Sequence, residues 1–474
     1  MKKIILTLIF LLSLSSVSFA VSYKMKVRKT DGTVILYDAD KVSQVTYPST
    51  SEMLITFTDN TTASYQVSNV AQVYFGEEGD LAPASVIASQ MYPGWNLGNT
   101  MEAGSNSNNW TNNGGTAAEI SWQSTTTTQA IIDKVKSMGF KSVRIPCSWV
   151  MGHITDTNNC TIDASWMARV KEIVDYCIKD GLFVIINDHW DGGWLEDDGF
   201  TTSADVTTKT AQLKKIWTQI ATEFKDYDEH LLFAGLNEPA EGDGYTVSNY
   251  ISNLQTYEQA FIDAVRATGS KNATRTLIVQ GPETNIDKTT QYFDVTKLTD
   301  TQKGRLMVEV HYYDPYNFTM MEKDDGTSNT VKLFWGSTDG VSNHVSPASS
   351  TRNCPTTYEE AYVNSQFAKM KSSFCDKGYP VIIGEYGACW RKIDDDFTKA
   401  IYQPKHNASI QSYYKAINQY AINNGCIPFA WDTNSLNYTS AGSMSILNRS
   451  TLAIYDTCMA NGVTNGVSAS VWPY

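Results

Sequence analysis

Basic charge is scarce in this chain. Lys and Arg number 37 against 50 Asp and Glu, leaving a net charge of −13 over 474 residues. A surface that neutralises phosphates carries the opposite sign, so nucleic acid is excluded as the expected partner. Histidine is scarcer still, with six in all and no tight His/Cys cluster. That argues against a zinc enzyme, and no metal or cofactor is expected. No stretch beyond the first twenty residues is long and apolar enough to span a bilayer. Charged residues make up 18% and hydrophobic ones 42%, the balance of a chain with a sizeable core and not of a disordered one. The length suits one large domain plus a small one.

Aromatic residues are plentiful, with 26 Tyr and 12 Trp. Aromatic faces hold neutral ring-shaped ligands well, and sugars fit that description. At the N-terminus, Lys2 and Lys3 precede the apolar run Ile4–Leu12, and Ser18-Phe19-Ala20 closes it. A charged start, a short apolar stretch and small residues at the −3 and −1 positions read as a cleavable signal peptide over residues 1–20. The protein is therefore expected to be exported, to the periplasm or the medium. No Cys follows Ala20, which disfavours a lipid anchor. Export permits disulfides among the eight Cys, but spacing does not give their pairing. Cys177 and Cys458 fall on amphipathic helical stretches and read as buried thiols.

Residues 23–47 and 51–75 repeat one another. Asp31-Gly-Thr-Val-Ile-Leu-Tyr37 aligns with Asp59-Asn-Thr-Thr-Ala-Ser-Tyr65, and Lys41-Val-Ser-Gln-Val-Thr-Tyr47 with Asn69-Val-Ala-Gln-Val-Tyr-Phe75. Turn pairs flanked by short alternating strands predict two packed β-hairpins over residues 21–76, with the Val-x-Gln-Val-x-aromatic segments as their shared core. Residues 77–83 read as a linker.

From residue 84 to 474 short apolar runs alternate with helix-length amphipathic segments. The expected strands are Met91–Leu97, Ser142–Cys147, Phe183–Asp188, Leu232–Leu236, Thr276–Gln280, Leu306–His311, Val381–Gly384 and Ile427–Trp431. Eight strands with crossovers predict an α/β fold, a (β/α)8 TIM barrel preceded by the small all-β module. A doubly wound open sheet is disfavoured, because Gly94-Trp-Asn-Leu-Gly98 lacks the Gly-rich fingerprint of its first turn. The polar stretch Phe318–Cys354 reads as a loop or insertion at the barrel mouth.

In such a barrel the chemistry sits at the C-terminal ends of the strands. Here those ends carry Asn96, Arg144, His189, Asn237-Glu238-Pro239, Glu309-Val-His311-Tyr-Tyr313, Gly384-Glu385-Tyr386 and Trp431-Asp432. Glu238 and Glu385 close strands four and seven, on opposite sides, so their side chains can converge over the axis. A pair of carboxylates cleaves glycosidic bonds: one protonates the leaving oxygen, and the other attacks the anomeric carbon or activates water. A single such Glu would read as a salt-bridged rim residue; two, among an Arg, two His and several Trp, point to catalysis.

Gly94-Trp-Asn-Leu-Gly-Asn99, Val143-Arg-Ile-Pro146, Asn237-Glu-Pro239, His311-Tyr-Tyr313 and Gly384-Glu-Tyr386 resemble the motifs of glycoside hydrolase family 5, the cellulase family of clan A, in order and spacing. The resemblance runs from Ala84 to about Ala460. It implies hydrolysis of β-linked plant polysaccharide with retention of configuration and without cofactor. By that resemblance Glu238 is the general acid/base, Glu385 the nucleophile, and Arg144 the group that keeps Glu385 ionised. His189, His311 and Tyr313 line the cleavage subsite, Asn237 bonds the sugar 2-hydroxyl, and Trp431 is the platform beneath the −1 sugar. Many relatives have a second His or another polar residue where this chain has Trp190. These roles require a raised pKa at Glu238 and a lowered one at Glu385, with the carboxyl groups about 5–5.5 Å apart.

Trp194 and Trp335 are further candidates for sugar subsites, as are Trp110 and Trp390, with plain loop packing as the alternative. Trp149 and Trp166 are expected in the packed shell. Glu102, Asp191 and Glu309 have no assigned chemistry; Glu309 reads as a salt-bridged structural residue or a hydrogen-bond partner of the site. The resulting expectation is a monomeric, exported endo-β-1,4-glucanase acting on β-linked poly- or oligosaccharide. The alternatives are a β-mannanase or xyloglucanase on the same scaffold, or a non-catalytic glycan-binding protein.

Overall fold

The computed structural model describes residues 23–31, 33–104, 110–111, 115–240, 246–326, 329–347, 350–393, 399–437 and 443–474. The expected signal peptide, residues 1–20, lies outside them. The chain divides into two compact units at Ala82/Pro83.

The first unit contains β1 (Tyr23–Lys29), β2 (Val34–Asp38), β3 (Val42–Ser49), β4 (Glu52–Phe57), β5 (Thr62–Gln66) and β6 (Val70–Glu77). Each repeat supplies three strands, but the sheets do not follow the repeats. They run β2-β1-β6 and β3-β4-β5, so the third strand of each copy pairs with the first strand of the other. The registers match across the repeat: Val45 faces Ile55, and Val73 faces Val27. The sequence predicts two β-hairpins packed together, with the Val-x-Gln-Val-x-aromatic segments as their shared core. Instead the fully buried centre is Met25, Val27, Met53 and Ile55 from β1 and β4, and Val42, Val45, Val70 and Val73 are only partly covered. The exchange explains this, because β1 and β4 become the middle strands of their sheets. The Tyr37 and Tyr65 hydroxyls, equivalent in the two copies, meet each other.

The second unit is a closed barrel of eight parallel strands: β7 (Gly94–Asn96), β8 (Ser142–Ile145), β9 (Phe183–Asn187), β10 (Leu231–Ala234), β11 (Leu277–Gln280), β12 (Leu306–Tyr312), β13 (Val381–Tyr386) and β14 (Cys426–Ala430). They pair in chain order, and β14 closes on β7 through Phe429–Gly94 and Ala430–Trp95. Covered on both faces, these strands read as continuous apolar runs instead of alternating ones. Each is followed by a helix: α1 (Gln129–Ser137), α2 (Ala164–Lys179), α3 (Val206–Glu223), α4 (Val247–Ala267), α5 (Ile286–Tyr292), α6 (Glu360–Ser373), α7 (Gln403–Asn423) and α8 (Thr457–Ser468). Several starts are set by side-chain caps: Asp163, Asp205, Thr246, Asn285 and Asp456 accept backbone N–H groups of the first turn.

The 318–354 stretch is more than a polar loop. Met321, Val331, Leu333, Phe334 and Val345 pack with Ile393 into a separate apolar cluster. All eight Cys are free thiols; Cys177 is buried as expected, and Cys458 is half-buried. Among the described residues no helix is long and apolar enough to cross a membrane.

Candidate active site

Arg144, on β8, has no solvent exposure and therefore needs charged and hydrogen-bonding partners. Its Nη1 donates to Glu385 Oε1 at 2.9 Å and to Asn96 Oδ1 at 3.0 Å, and Nη2 donates to Asn237 Oδ1 at 2.7 Å. Its Nε lies 3.1 Å from Glu309 Oε1. One guanidinium thus ties together residues from β7, β12, β13 and the end of β10. Glu309 is itself fully buried and also accepts from Gln280 Nε2 at 2.5 Å. Both readings of Glu309 therefore hold: it is an ion-pair partner and it lies directly beneath the site.

β13 bulges at the decisive place. Its pairing with β12 steps from Val310–Ile383 to Tyr312–Tyr386, so Gly384 and Glu385 together oppose the single His311. A bulge re-aims a side chain, and here it delivers Glu385 to the arginine. Only glycine fits before it: a Cβ on Gly384 would stand 1.9 Å from Glu309 Oε1. Glu385 Oε2 accepts from the Tyr313 hydroxyl at 3.1 Å.

His311 Nδ1 lies 2.6 Å from Glu238 Oε1 and 3.8 Å from Glu385 Oε2. One donor atom from each of these three residues falls within 4.8 Å of the others. Such a trio could hold a cation, but His311 is already the cation there. Burial alone would depress its pKa; the charge of Glu385 and the bonds to Glu238 and Glu309 outweigh that and raise it to about 10. The two catalytic candidates then depart from expectation. Burial pushes Glu238 up, but His311 and Arg144 pull it below the usual carboxylate range. At Glu385 burial, aided by the charge of Glu238, wins over His311 and Arg144 and leaves it above that range. The inversion has a geometric cause, since the imidazolium sits closer to Glu238 than to Glu385. Glu238 is also the more open of the two, with its side chain 46% exposed against 8% for Glu385.

His189 and Trp431 lie ring on ring, with centroids 5.9 Å apart and planes 7° apart. Burial, then the charges of Arg144 and His311, keep His189 neutral. Asn237 gives its oxygen to Arg144, leaving its NH2 to donate. Every residue proposed from the strand ends is thus in place around the Arg144 network or beside it.

The loop aromatics fare differently. Trp335 is fully buried, donating Nε1 to the Tyr358 carbonyl at 2.9 Å and packing edge-on against Tyr413. Trp194 is buried too, with Trp110 edge-on against it and Lys209 over its ring. Neither is available to a sugar, because the loops fold into packed layers of their own. Trp390 is half-buried and bonded to Asn407. Trp149 and Trp166 are buried in the shell as expected. Asp191 and Glu102 serve the backbone: Asp191 accepts from the N–H groups of Trp149, Val150 and Met151, and Glu102 from those of Asn99 and Thr100.

Three features escaped the sequence. Glu196, buried in the loop after β9, accepts the backbone N–H of Glu238. Burial and then the charge of Glu238 raise it to about 8. A cavity of about 240 Å³ opens beside Glu238, lined also by Tyr313, Asn285, Asp287, Asp314 and Tyr316; Tyr316 is 59% exposed. The turn after β11 places Glu283 and Thr284 consecutively at φ 51° and 45°, a left-handed conformation costing about 1–3 kcal/mol each outside glycine.

The cellulase (glycosyl hydrolase family 5) family model matches residues 101–437. Endoglucanase A of Paenibacillus barcinonensis is 34% identical over 401 residues, covering 81% of this chain and 90% of its own length. The crystal structure of XEG5B, a xyloglucan-specific β-1,4-glucanase from a ruminal metagenomic library in complex with XXLG, is 49% identical with a TM-score of 0.73. It covers 83% of this chain and 98% of its own. A family 5 xyloglucanase from Paenibacillus pabuli is 34% identical with a TM-score of 0.67, covering 80% and 99%. Family model, relatives and barrel agree over the same residues: the chain belongs to glycosyl hydrolase family 5, as a glycoside hydrolase of the endo-β-1,4-glucanase type.

Proposed function

We propose that the protein is exported and cleaves the β-1,4-glucan backbone of xyloglucan with retention of configuration, with Glu385 as nucleophile and Glu238 as acid/base. The observation that carries this is the convergence of one oxygen from each carboxylate to within 4.8 Å, with His311 between them. That separation suits a carboxylate attacking carbon directly; an inverting pair stands about 6.5–9.5 Å apart to admit a water.

In the first step Glu385, oriented by Arg144 and Tyr313, forms a bond to the anomeric carbon as the glycosidic C–O bond breaks. The leaving oxygen takes a proton that His311 passes through Glu238 across their 2.6 Å contact, which leaves His311 neutral and Glu238 ionised. Esterification removes the Glu385 charge, a principal support of the His311 proton, so the imidazole lets go when the proton is needed. In the second step Glu238, ionised, takes a proton from water as that water attacks the same carbon. Glu385 is released, and the proton returns to His311. The NH2 of Asn237 can bond the sugar 2-hydroxyl, an interaction that strengthens as the oxocarbenium-like transition state forms.

Support for xyloglucan comes from the 49% identity to a xyloglucan-specific enzyme. The second reading, an unbranched β-glucan, is favoured by the relative named endoglucanase A. Reducing-sugar release from xyloglucan, carboxymethylcellulose, mixed-linkage glucan, glucomannan and galactomannan separates them. Xyloglucan is expected to give the highest kcat/KM, and a higher value on an unbranched glucan or a mannan would replace it. NMR of the first sugar formed is expected to show the β-anomer. Cleavage after Ala20, read by N-terminal sequencing of the secreted chain, tests export.

A further inference from the structure

Glu238 is half-exposed, so packing does not fix its side chain. What is fixed is its backbone. On one side its N–H is held by the buried Glu196 carboxyl. On the other, the carbonyl of Pro239 accepts from the Tyr250 hydroxyl and from the N–H of Glu283, the latter at 3.0 Å. The same Tyr250 oxygen accepts from Glu283 N at 3.0 Å, which joins the three groups into one clamp.

The clamp holds the turn in a conformation its sequence disfavours. Glu283 and Thr284 are consecutive non-glycine residues in the left-handed region. Thr284 is β-branched and buried, where positive φ is a genuine outlier. Several bonds over-determine the turn: Lys288 pairs with the Glu283 carboxylate, Thr284 Oγ1 donates to the Glu283 carbonyl at 2.8 Å, and Thr284 N donates to the Gly281 carbonyl at 2.9 Å. Both residues also line the cavity beside Glu238. Backbone strain that survives against solvent in this way gathers where geometry matters to function, and misplacing a reacting group by about 1 Å can cost 10²-fold.

We infer that the Glu283–Thr284 turn and Tyr250 are positioning residues for the acid/base, gripping the Glu238–Pro239 backbone so that the Glu238 carboxyl meets the leaving oxygen. None of them touches the reacting atoms. Because this depends on Glu238 being the acid/base, the test must read proton donation itself. A substrate with a poor leaving group, such as a xyloglucan or cello-oligosaccharide, needs the proton. An activated dinitrophenyl glycoside needs almost none. In both, kcat/KM reports the glycosylation step.

Thr284→Gly, which releases the constraint on φ, and Tyr250→Phe, which removes only the bridging hydroxyl, are compared with wild type on both substrates. Each is expected to lower kcat/KM about 10- to 100-fold on the oligosaccharide and less than threefold on the dinitrophenyl glycoside. Thr284→Asn should recover most of the Thr284→Gly loss, since asparagine adopts the left-handed region yet keeps a side chain that restricts the backbone more than glycine does. Glu238→Gln is the control for the reading beneath. If it lacks the leaving-group dependence, Glu238 is not the acid. If it shows that dependence while Thr284→Gly and Tyr250→Phe lose equally on both substrates, or lose nothing, the turn is merely structural. A variant that folds poorly would lose activity on both substrates together with its melting cooperativity; Tyr250→Phe, which removes one oxygen, keeps the question answerable in that case.

Discussion

The innermost side chains of the N-terminal module are Met25, Val27, Met53 and Ile55, brought together by a sequence that repeats itself after 28 residues. The innermost side chains of the barrel mouth are Arg144, Glu309 and Glu385, and the pair Arg144–Glu385 spans 241 residues. The first centre is apolar and symmetric, and each half of it is legible from the other. The second is ionic, has no internal symmetry, and exists only when the whole barrel has closed. An apolar centre gives up its stabilisation in parts, roughly by buried area. An ionic one is all or none, because removing a single partner strands the rest without compensation.

The largest effect should come from the carboxylates. Glu385→Gln and Glu238→Gln are each expected to lower kcat/KM on an oligosaccharide at least 10²–10⁴-fold, the range of general acid catalysis, with the fold retained, Glu385→Gln at a lower melting temperature because it takes a charged partner from Arg144. Full activity in Glu385→Gln would remove the distinction between the two regions as chemical and structural.

Arg144→Met is expected to cost about 3–5 kcal/mol of barrel stability, read by denaturant melts, because Glu309 and Glu385 would remain buried without it. It should also move the acidic limb of the kcat/KM–pH profile upward, since Arg144 is one of the groups holding Glu385 down. An unshifted limb would mean that the arginine only builds. The limbs are macroscopic values of the coupled Glu238–His311–Glu385 set.

The barrel's buried ionisable groups also give stability a direction in pH. Glu196 is raised to about 8 and His311 to about 10, and burial raises Glu102 to about 7. Each holds its proton to higher pH folded than unfolded. Stability is therefore fully present below the unfolded values and lost as pH rises, for the carboxyls from about 4.3 and for His311 from about 6.5 up to their folded values. Glu238, with a depressed pKa, works oppositely and loses its share in acid. The melting temperature should peak in mild acid and decline towards pH 10, and His311→Gln should flatten the decline above pH 8. A midpoint that climbs from pH 6 to 10 would contradict this.

The smallest expected effect is the sharpest test of the contrast. Deleting residues 21–80 should change kcat/KM on a soluble oligosaccharide less than twofold, because no residue of the Arg144 network comes from the module. A tenfold loss would make the module part of the catalytic unit.

The strand ends could be read because a fully buried strand leaves an unbroken apolar run, and the polar residue that ends it stands out. What could not be read came from contacts between strands. The bulge at Gly384–Glu385 exists only against His311 and Glu309, and nothing in Gly-Glu-Tyr announces it. Glu196 sits in a loop whose path is set by packing. The inverted pKa directions of Glu238 and Glu385 follow from 2.6 Å against 3.8 Å at one imidazole nitrogen, a difference below the resolution of any motif. Trp194 and Trp335 looked like subsite aromatics because their neighbours in sequence are polar, yet their neighbours in space are Trp110 and Tyr413. Helix α5 is only seven residues long, too short for its periodicity to register.

The exchanged strands of the module carry a further consequence. Each repeat pairs its own first and second strands but leaves its third strand to the first strand of the other copy, so a single copy is topologically incomplete and reaches this fold only beside a second. The turn between Ser49 at the end of β3 and Glu52 at the start of β4 supplies that second copy on the same chain, at the millimolar effective concentration that a short tether gives. What would otherwise be an encounter between molecules, dependent on dilution, becomes an intramolecular closure that dilution cannot reverse.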